Sequence, residues 1–370
     1  MDSADQVAEV ARSFQIEGAV EACSELGNGL IHRSYRIGTR TRDNRERAYV
    51  LQRINTQVFR DPEGLMRNVE CVLAHLASAW SEEDDTSWRR LELVPTASGG
   101  LAWCWDEGMP WRMYRLIDGA RSLTSIDTPL QAEETGRAFG RFLRGIERLP
   151  VTALKVVLPG YGNTEGYYVD VHEVAAEDPR KRRAAAQHIL DGFVRRSALA
   201  NTLACQVAGG KLKTRPIHGD TKFNNVLFDA SGQRAVCVID LDTVMPGPIA
   251  KDFGDCYRSI LLESSDGRIH WDGELELFRA MTNGVAESFR GVLDAAEVGS
   301  LICGVQTMVF ANGVRFLADY LRGDLYFHTS YPEQNLDRAS RHLHVLEWVE
   351  TMEVEMEAHV ARSMPVGSPP

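Results

Sequence analysis

Long apolar runs are missing from the chain. No stretch of about 18 or more consecutive apolar residues occurs, the length a helix needs to cross a bilayer. The acidic opening MDSADQVAEV has neither the basic residues nor the apolar stretch of a secretory leader. Paired cysteines are missing too: the seven cysteines (Cys23, Cys71, Cys104, Cys205, Cys237, Cys256 and Cys303) form no CxxC pair. Such scatter suits reduced, mostly buried thiols and excludes a zinc ribbon or a disulfide scaffold. Positive charge is in deficit, with 41 Lys and Arg against 52 Asp and Glu and a net charge of -11. A field of that sign repels nucleic acid, although a local basic cleft can still hold an anion. Internal repeats and low-complexity tracts are absent as well. These exclusions predict a cytoplasmic protein with neither nucleic acid nor membrane as partner, its oligomeric state left open. The 370 residues, 44% of them hydrophobic, can bury a sizeable core, and they exceed what one small core organises. Two lobes are therefore expected.

The first hundred or so residues pattern as sheet with one helix. LGNGLIHRSYRI (26–37) sets a Gly-Asn-Gly turn beside β-prone residues, and AYVLQRI (48–54) reads as a strand. From Asp61 a helix is predicted: Asp61 caps, Pro62 fits the first position, and Leu73, Leu76, Ala77 and Trp80 share a face. LAWCWDEG and PWRMYRLIDGA form two more strands, with a lobe boundary near Ile117. Helical patterns then dominate, beginning with AEETGRAFGRFLRGIERL, where Phe139, Phe142, Leu143 and Ile146 make a stripe. The basic run from Arg180 to Arg183 reads as a solvated face. The expected division is 1–117, a nucleotide-binding lobe; 118–360, a catalytic and acceptor-binding lobe; and 361–370, a disordered tail with nothing to pack.

Chemistry concentrates in PIHGDTKFNNVLFDASGQRAVCVIDLDTVMPG, residues 216–247. Asn225 follows Asp220 at the spacing of a kinase catalytic loop, and NVLF and AVCVID form a hairpin that delivers Asp240 at its end. Phosphoryl transfer asks a protein mainly for positioning and charge neutralisation. Asp220 fits the carboxylate that meets an acceptor hydroxyl. Asn225 and Asp240 fit the oxygen ligands that hold Mg²⁺ against nucleotide phosphates, since this hard ion prefers oxygen. His218 is expected to brace the loop by hydrogen bonding, because no second histidine or cysteine stands at metal-ligand spacing.

HGDTKFNN followed by VIDLDTVMPG and DFGD resembles the aminoglycoside phosphotransferase and choline kinase superfamily. Within it the chain is similar to the N-acetylhexosamine 1-kinases, through LGNGLIHRSYRI, YVLQRIN with VFRDPEGLMRNV, WRMYRLIDG, and RFLADYLRGDLYFH with QNLDRA. The resemblance implies an α+β, bilobal protein-kinase-like fold, with a sheet-rich first lobe and a mainly helical second. It also implies ATP-dependent phosphorylation of the anomeric hydroxyl of N-acetylglucosamine or N-acetylgalactosamine. Asp252-Phe253-Gly254 spells the protein-kinase metal motif, but it comes a dozen residues after the hairpin strand. By resemblance Asp252 instead braces the metal loop. Asp242 is open between a second-metal role, a contact to the first ligands and a loop hydrogen bond.

For the nucleotide, Gly27, Asn28 and Gly29 form either a phosphate-covering turn or an ordinary hairpin turn. No strand lysine is present; YVLQRIN offers Gln52 and Arg53, which alternation sends to opposite faces. Which of the two faces the phosphates is left open; Arg53 is the candidate for the charge, with Glu70 on the following helix as its natural ion-pair partner. Tyr114 and Leu116 lie on the hinge expected to meet adenine. For the acceptor, Arg315 and Tyr326 match sugar-contacting positions of the resembling kinases, and Lys222 either adds charge near the phosphates or is solvent-exposed. One departure stands out: Tyr161-Gly162-Asn163-Thr164 carries glycine where those kinases tend to have histidine. Aminoglycoside, choline-like and cyclitol acceptors are the alternatives, and a silent nucleotide-binding module is the non-enzyme reading. Cationic acceptors call for an acidic pocket, which Arg315 argues against.

Overall fold

The computed structural model describes residues 2–27, 31–80, 87–263 and 273–366. Helix α1 (Ala4–Arg12) is followed by β1 (Ala19–Glu25), β2 (Arg33–Arg40) and β3 (Glu46–Arg53). Next come α2 (Pro62–Ala79), β4 (Trp103–Asp106) and β5 (Met109–Arg115). The strands form one antiparallel sheet in the order β1-β2-β3-β5-β4. Alternation gives the sheet two different faces. Tyr49, Leu51, Trp111 and Met113 pack with Val7 and Val10 of α1 in a core of their own. Gln52, Arg112 and Tyr114 turn to the other face, towards the second lobe. Asp61 caps α2 by accepting the Gly64 N–H, with Pro62 in the first turn. Leu65, Val69, Val72 and Leu76 form its buried stripe, whereas Ala77 of the predicted face is exposed.

The second lobe is mainly helical. It contains β6 (Arg121–Ser122), α3 (Pro129–Ile146), α4 (Thr164–Glu177), α5 (Arg183–Val194), α6 (Thr202–Ala208) and β7 (Arg215–Ile217). After these come β8 (Val226–Phe228), β9 (Ala235–Val238), β10 (Met245–Gly247), α7 (Ile249–Leu262) and α8 (Glu274–Phe289). The last three helices are α9 (Ala295–Gly299), α10 (Leu301–Arg322) and α11 (Gln334–Ser363). Two small sheets, β6-β8-β9 and β10-β7, frame the loop that follows β7. Helix α10 is long and apolar enough to cross a membrane, yet it is mostly buried inside this lobe, packed by α4, α7 and α11. It approaches α7 closely: a Cβ on Gly254 would lie 2.2 Å from the Gly304 carbonyl oxygen, so neither glycine has room for a side chain.

Two expectations change here. Arg180, Lys181 and Arg183 are exposed, but Arg182 is not simply solvated: it donates to the Tyr320 carbonyl and to Asp324 (2.6 Å) at the end of α10. Helix α11 continues to Ser363 and Met364 is 1% exposed, so the start of the predicted tail is packed.

Candidate active site

Loop 218–225 is built from the backbone outward. Asp252, in the first turn of α7, accepts the His218 N–H (2.6 Å) on one carboxylate oxygen and the Gly219 N–H (2.9 Å) on the other. Burial pushes its pKa up to about 7, with the two N–H donors and nearby acids acting after it. The Asp252 carbonyl takes the Thr221 hydroxyl at 2.6 Å. His218 is fully buried between the rings of Phe139 and Phe142. Its Nδ1 accepts the Asp220 N–H, so Nε2 carries the proton and donates to the Ile239 carbonyl (3.0 Å), the residue before Asp240. Burial lowers its pKa and favours that neutral form.

Asp220 thus has a fixed place. Its Oδ2 accepts Asn225 Nδ2 at 3.0 Å and meets Lys222 Nζ at 3.1 Å. Burial opposes its charge, but Lys222 and His218 outweigh that and hold its pKa below the ordinary aspartate value. Asn225 Nδ2 also donates to the Asp220 carbonyl, which leaves its amide oxygen unbonded among the described residues. Asp240 follows the hairpin in a left-handed conformation (φ 62°), a conformation that non-glycine residues adopt at a cost and that clusters at functional sites. Its carboxylate opens on the cleft with no hydrogen-bond donor among the described residues. Enclosure by protein first, then the Asp242 and Asp220 charges, push its pKa up to about 7. A carboxylate crowded by like charges and an amide oxygen without a donor are a hard-oxygen pair that fits Mg²⁺.

The cation on the first lobe comes from an unexpected strand. Gln52, not Arg53, turns to the cleft; its Oε1 accepts Arg112 Nε at 3.0 Å. Arg53 lies on the opposite face, paired with Asp2, because residues 49, 51 and 53 share the side covered by α1. Its assignment to phosphate is therefore corrected. Arg112, 2% exposed, forks Asp242 through Nη1 (2.5 Å) and Nη2 (2.8 Å). His32 completes this clamp: its Nδ1 accepts the Asn55 N–H, and its Nε2 donates to Asp242 at 2.6 Å. Burial works against the Asp242 charge, yet Arg112 and His32 hold its carboxyl well below the usual range. The geometry gives Asp242 a role outside the three left open by the sequence, a tie to His32 and Arg112 of the first lobe.

Glu70 does not pair with Arg53 either. It accepts the Ala102 N–H at 3.4 Å and lines a cavity of about 380 Å³ with Leu73, Trp80 and Trp88. That cavity holds none of Asp220, Asn225, Asp240 or Arg315. On the hinge, Tyr114 is buried with its ring 5.2 Å from the Arg112 guanidinium, and burial raises its pKa. The Leu116 N–H donates to the Ala48 carbonyl (3.0 Å) and is not available to a base. Gly27 opens the β1–β2 turn with φ 65°; Asn28 and Gly29 lie outside the described residues.

Arg315 and Tyr326 stand together. The Arg315 guanidinium lies 5.1 Å from the Tyr167 ring, 5.8 Å from Tyr326 and 5.3 Å from Phe327. Tyr326, 71% exposed, sits on a loop pinned by buried Asp319, which accepts the N–H groups of Leu325, Tyr326 and Phe327 and the Asn335 amide. Tyr161 joins this patch to the loop: its hydroxyl donates to the Gly219 carbonyl (3.1 Å), and its surroundings include both Asp220 and Arg315. Sequence reasoning missed Tyr161, His32 and Arg112. His32 stood inside a quoted motif and Tyr161 beside the glycine departure, but only the register places Arg112 in the cleft.

The phosphotransferase enzyme family, APH, matches residues 22–278, more than half of the chain. Among solved structures, the chain is similar to an aminoglycoside phosphotransferase from Alicyclobacillus acidocaldarius subsp. acidocaldarius DSM 446, at 15% identity over 96% of each chain and a TM-score of 0.64. It is similar to the choline kinase of Cryptosporidium parvum Iowa II at 10% identity, over 95% of this chain and 97% of that one, with a TM-score of 0.59. A third similar structure is an amicoumacin kinase in complex with AMP-PNP, Ca²⁺ and Ami, at 12% identity, over 98% of this chain and 95% of that one, with a TM-score of 0.58. At these identities the likeness concerns the fold, a bilobal kinase-like one.

Proposed function

We propose, for a chain that belongs to the phosphotransferase enzyme family, an ATP-dependent transfer of phosphoryl to the anomeric hydroxyl of a sugar, giving the sugar 1-phosphate. N-acetylglucosamine and N-acetylgalactosamine are its leading acceptors. The observation that carries this reading is the placing of Asp220, held by Asn225 and Lys222, next to Tyr161, whose surroundings also include Arg315 and Tyr167. Asp220 takes the proton of the attacking hydroxyl while the new O–P bond forms and the bond to the ADP oxygen breaks. An anomeric hydroxyl is more acidic than an ordinary alcohol, so a carboxylate of low pKa suffices. Asn225 and Asp240 would hold Mg²⁺, which when bound neutralises nucleotide phosphate charge. Arg112 supplies the buried positive charge that the first lobe otherwise lacks. The guanidinium of Arg315 and the open ring of Tyr326 offer donors and an amphipathic surface to a sugar.

Kinases of choline and of amine-bearing antibiotics appear among the similar folds, and a cyclitol is a further acceptor of the same chemical kind. A cationic acceptor would meet Arg315 where it needs an acid, which places that reading second. The test is ADP release from Mg·ATP with N-acetylglucosamine, N-acetylgalactosamine, glucose, kanamycin, choline and inositol, with phosphorus NMR of each product. A 1-phosphate from a sugar supports the reading. Turnover with kanamycin, choline or inositol alone overturns the acceptor, and silence with every acceptor favours the inactive nucleotide-binding module.

A further inference from the structure

Arg315 and Tyr326 face the acceptor on the sugar-kinase reading, on which their role here rests, and Tyr326 is 71% exposed. A ring so open is placed chiefly by its own backbone. Helix α10 gives way to Gly323 (φ 103°) and Asp324 (φ 61°), two consecutive residues in the left-handed region. Their N–H groups close the helix on the Asp319 carbonyl, at 3.0 and 2.9 Å. The reversal turns the next three N–H groups onto one carboxylate. Asp319 Oδ1 accepts those of Leu325 (3.0 Å) and Tyr326 (2.9 Å), and Oδ2 accepts that of Phe327 (2.9 Å) and the Asn335 amide of α11 (3.0 Å). Asp319 is only 4% exposed.

An acid in the last turn of a helix is poorly placed for the helix dipole, whose C-terminal end is negative. The four N–H donors offset both that and the burial, so carboxylate and loop fix each other. At the site the consequence falls on two rings. Phe327 lies 4.4 Å from the Phe316 ring and Tyr326 meets Phe327 edge-on at 4.8 Å. Both face the Arg315 guanidinium, whose other neighbours are the Tyr167 ring and Asn312 Oδ1 at 3.3 Å. Two of the three rings around Arg315 therefore stand on backbone that Asp319 holds. Asn335 extends the support: its Nδ2 also reaches Asp324 Oδ1 (2.9 Å), and Arg182 meets the other oxygen of Asp324 at 2.6 Å. Among the described residues Asp319 makes no hydrogen bond to Asp220, Asn225 or Asp240.

We infer that Asp319 is a positioning residue that sets acceptor affinity by holding the 325–327 backbone, and with it the Tyr326 and Phe327 rings, against Arg315. A loop that is competent only part of the time weakens apparent affinity by that fraction, and a saturating acceptor restores it. Asp319→Asn puts an amide group where a carboxylate oxygen met two donors, so two of the four bonds are lost whichever way the amide turns. The experiment measures KM and kcat for each compound of the acceptor panel, calorimetric ADP binding, and deuterium exchange of the 325–327 amides. In Asp319→Asn, exchange should quicken and KM for the accepted compound rise at least about tenfold, the worth of a charge-assisted hydrogen bond, with kcat and ADP affinity within about threefold. A purely architectural role would reduce the melting temperature and the active fraction, hence kcat, and leave KM where it was. Asn335→Ala leaves the three loop N–H bonds in place; it should raise KM by a smaller factor, and it carries the test if Asp319→Asn fails to fold. Quickened exchange with an unmoved KM for a sugar, or exchange that does not quicken, overturns the inference and leaves the sugar-kinase reading standing. A raised KM where kanamycin, choline or inositol is the sole accepted compound supports the inference and overturns that reading. A wild type silent with the whole panel overturns both.

Discussion

At the scale of single residues, the site sets charges against one another at short range, and each pair gives a different experiment. Asp220→Asn keeps an oxygen for the Asn225 amide but removes the proton acceptor. Turnover should fall about 10²- to 10⁴-fold in a variant that still folds and binds nucleotide. Wild-type kcat in that variant would remove Asp220 from the reaction. Arg112→Ala acts on stability instead, because it strands the buried Asp242 carboxylate, 2% exposed, with His32 as its remaining side-chain partner. Breaking a buried pair by removing one member costs about 3–5 kcal/mol. Urea unfolding should report a loss of that order, and the double variant with Asp242→Asn should recover part of it. A loss below about 1 kcal/mol would show that the fork is not holding the lobes.

At the scale of elements, legibility followed sequence distance. The Asp220-to-Asp240 segment was readable because its loop, hairpin and acid are contiguous, and short strands joined by an Asp229-to-Gln233 turn leave few ways to fold. The cation opposite was not readable: Arg112 is separated from Asp242 by 130 residues, and only the pairing of Gln52 with Arg112 across β3 and β5 reveals which strand residue faces the cleft. Alternation alone left Gln52 and Arg53 equal; the packing of α1 over Tyr49 and Leu51 broke the tie. The α10–α11 pair illustrates another hidden feature. His342 of α11 is fully buried against Phe316, with Nδ1 donating to the Arg338 carbonyl at 2.7 Å and Nε2 unpartnered among the described residues. Burial first, then Arg258, Arg341 and Arg338, push its pKa from 6.5 down to about 3. Its unfolded form therefore binds a proton the folded form refuses. Stability is fully present above about pH 6.5 and falls as the pH drops towards 3, by about 1.4 kcal/mol per unit for one proton. His342→Leu should flatten the urea-midpoint profile between pH 6 and 4, read by circular dichroism with wild type alongside. Parallel profiles for the two proteins would show that His342 does not carry the linkage.

At the scale of the whole molecule, two lobes meet over a cleft: α1 and one sheet face share a core of their own, α2 packs into the second lobe's core, and Asp242 with His32 and Arg112 is one side-chain tie between the lobes beside Lys155 with Asp61 and Asn68. Asp240 lies two residues from Asp242 and opens on the same cleft, so ligands held there add to the connection between lobes. A ligand that binds the folded protein alone raises stability by RT ln(1 + [L]/Kd), about 2.7 kcal/mol at a hundredfold excess over Kd. ADP alone should raise the melting temperature by a first step and Mg²⁺ with ADP by a second, larger one. In Asp240→Asn the neutral amide is a weaker partner for a hard cation, so the second step should shrink while the first persists. Chelating Mg²⁺ with EDTA should return wild type to the first step. If Asp240→Asn retained the full Mg²⁺ increment, the metal would be held elsewhere; if it lost both steps, Asp240 would be organising the nucleotide pocket rather than binding the ion. The two steps separate these outcomes because the ADP-only increment is read without the ion that Asp240 is proposed to hold.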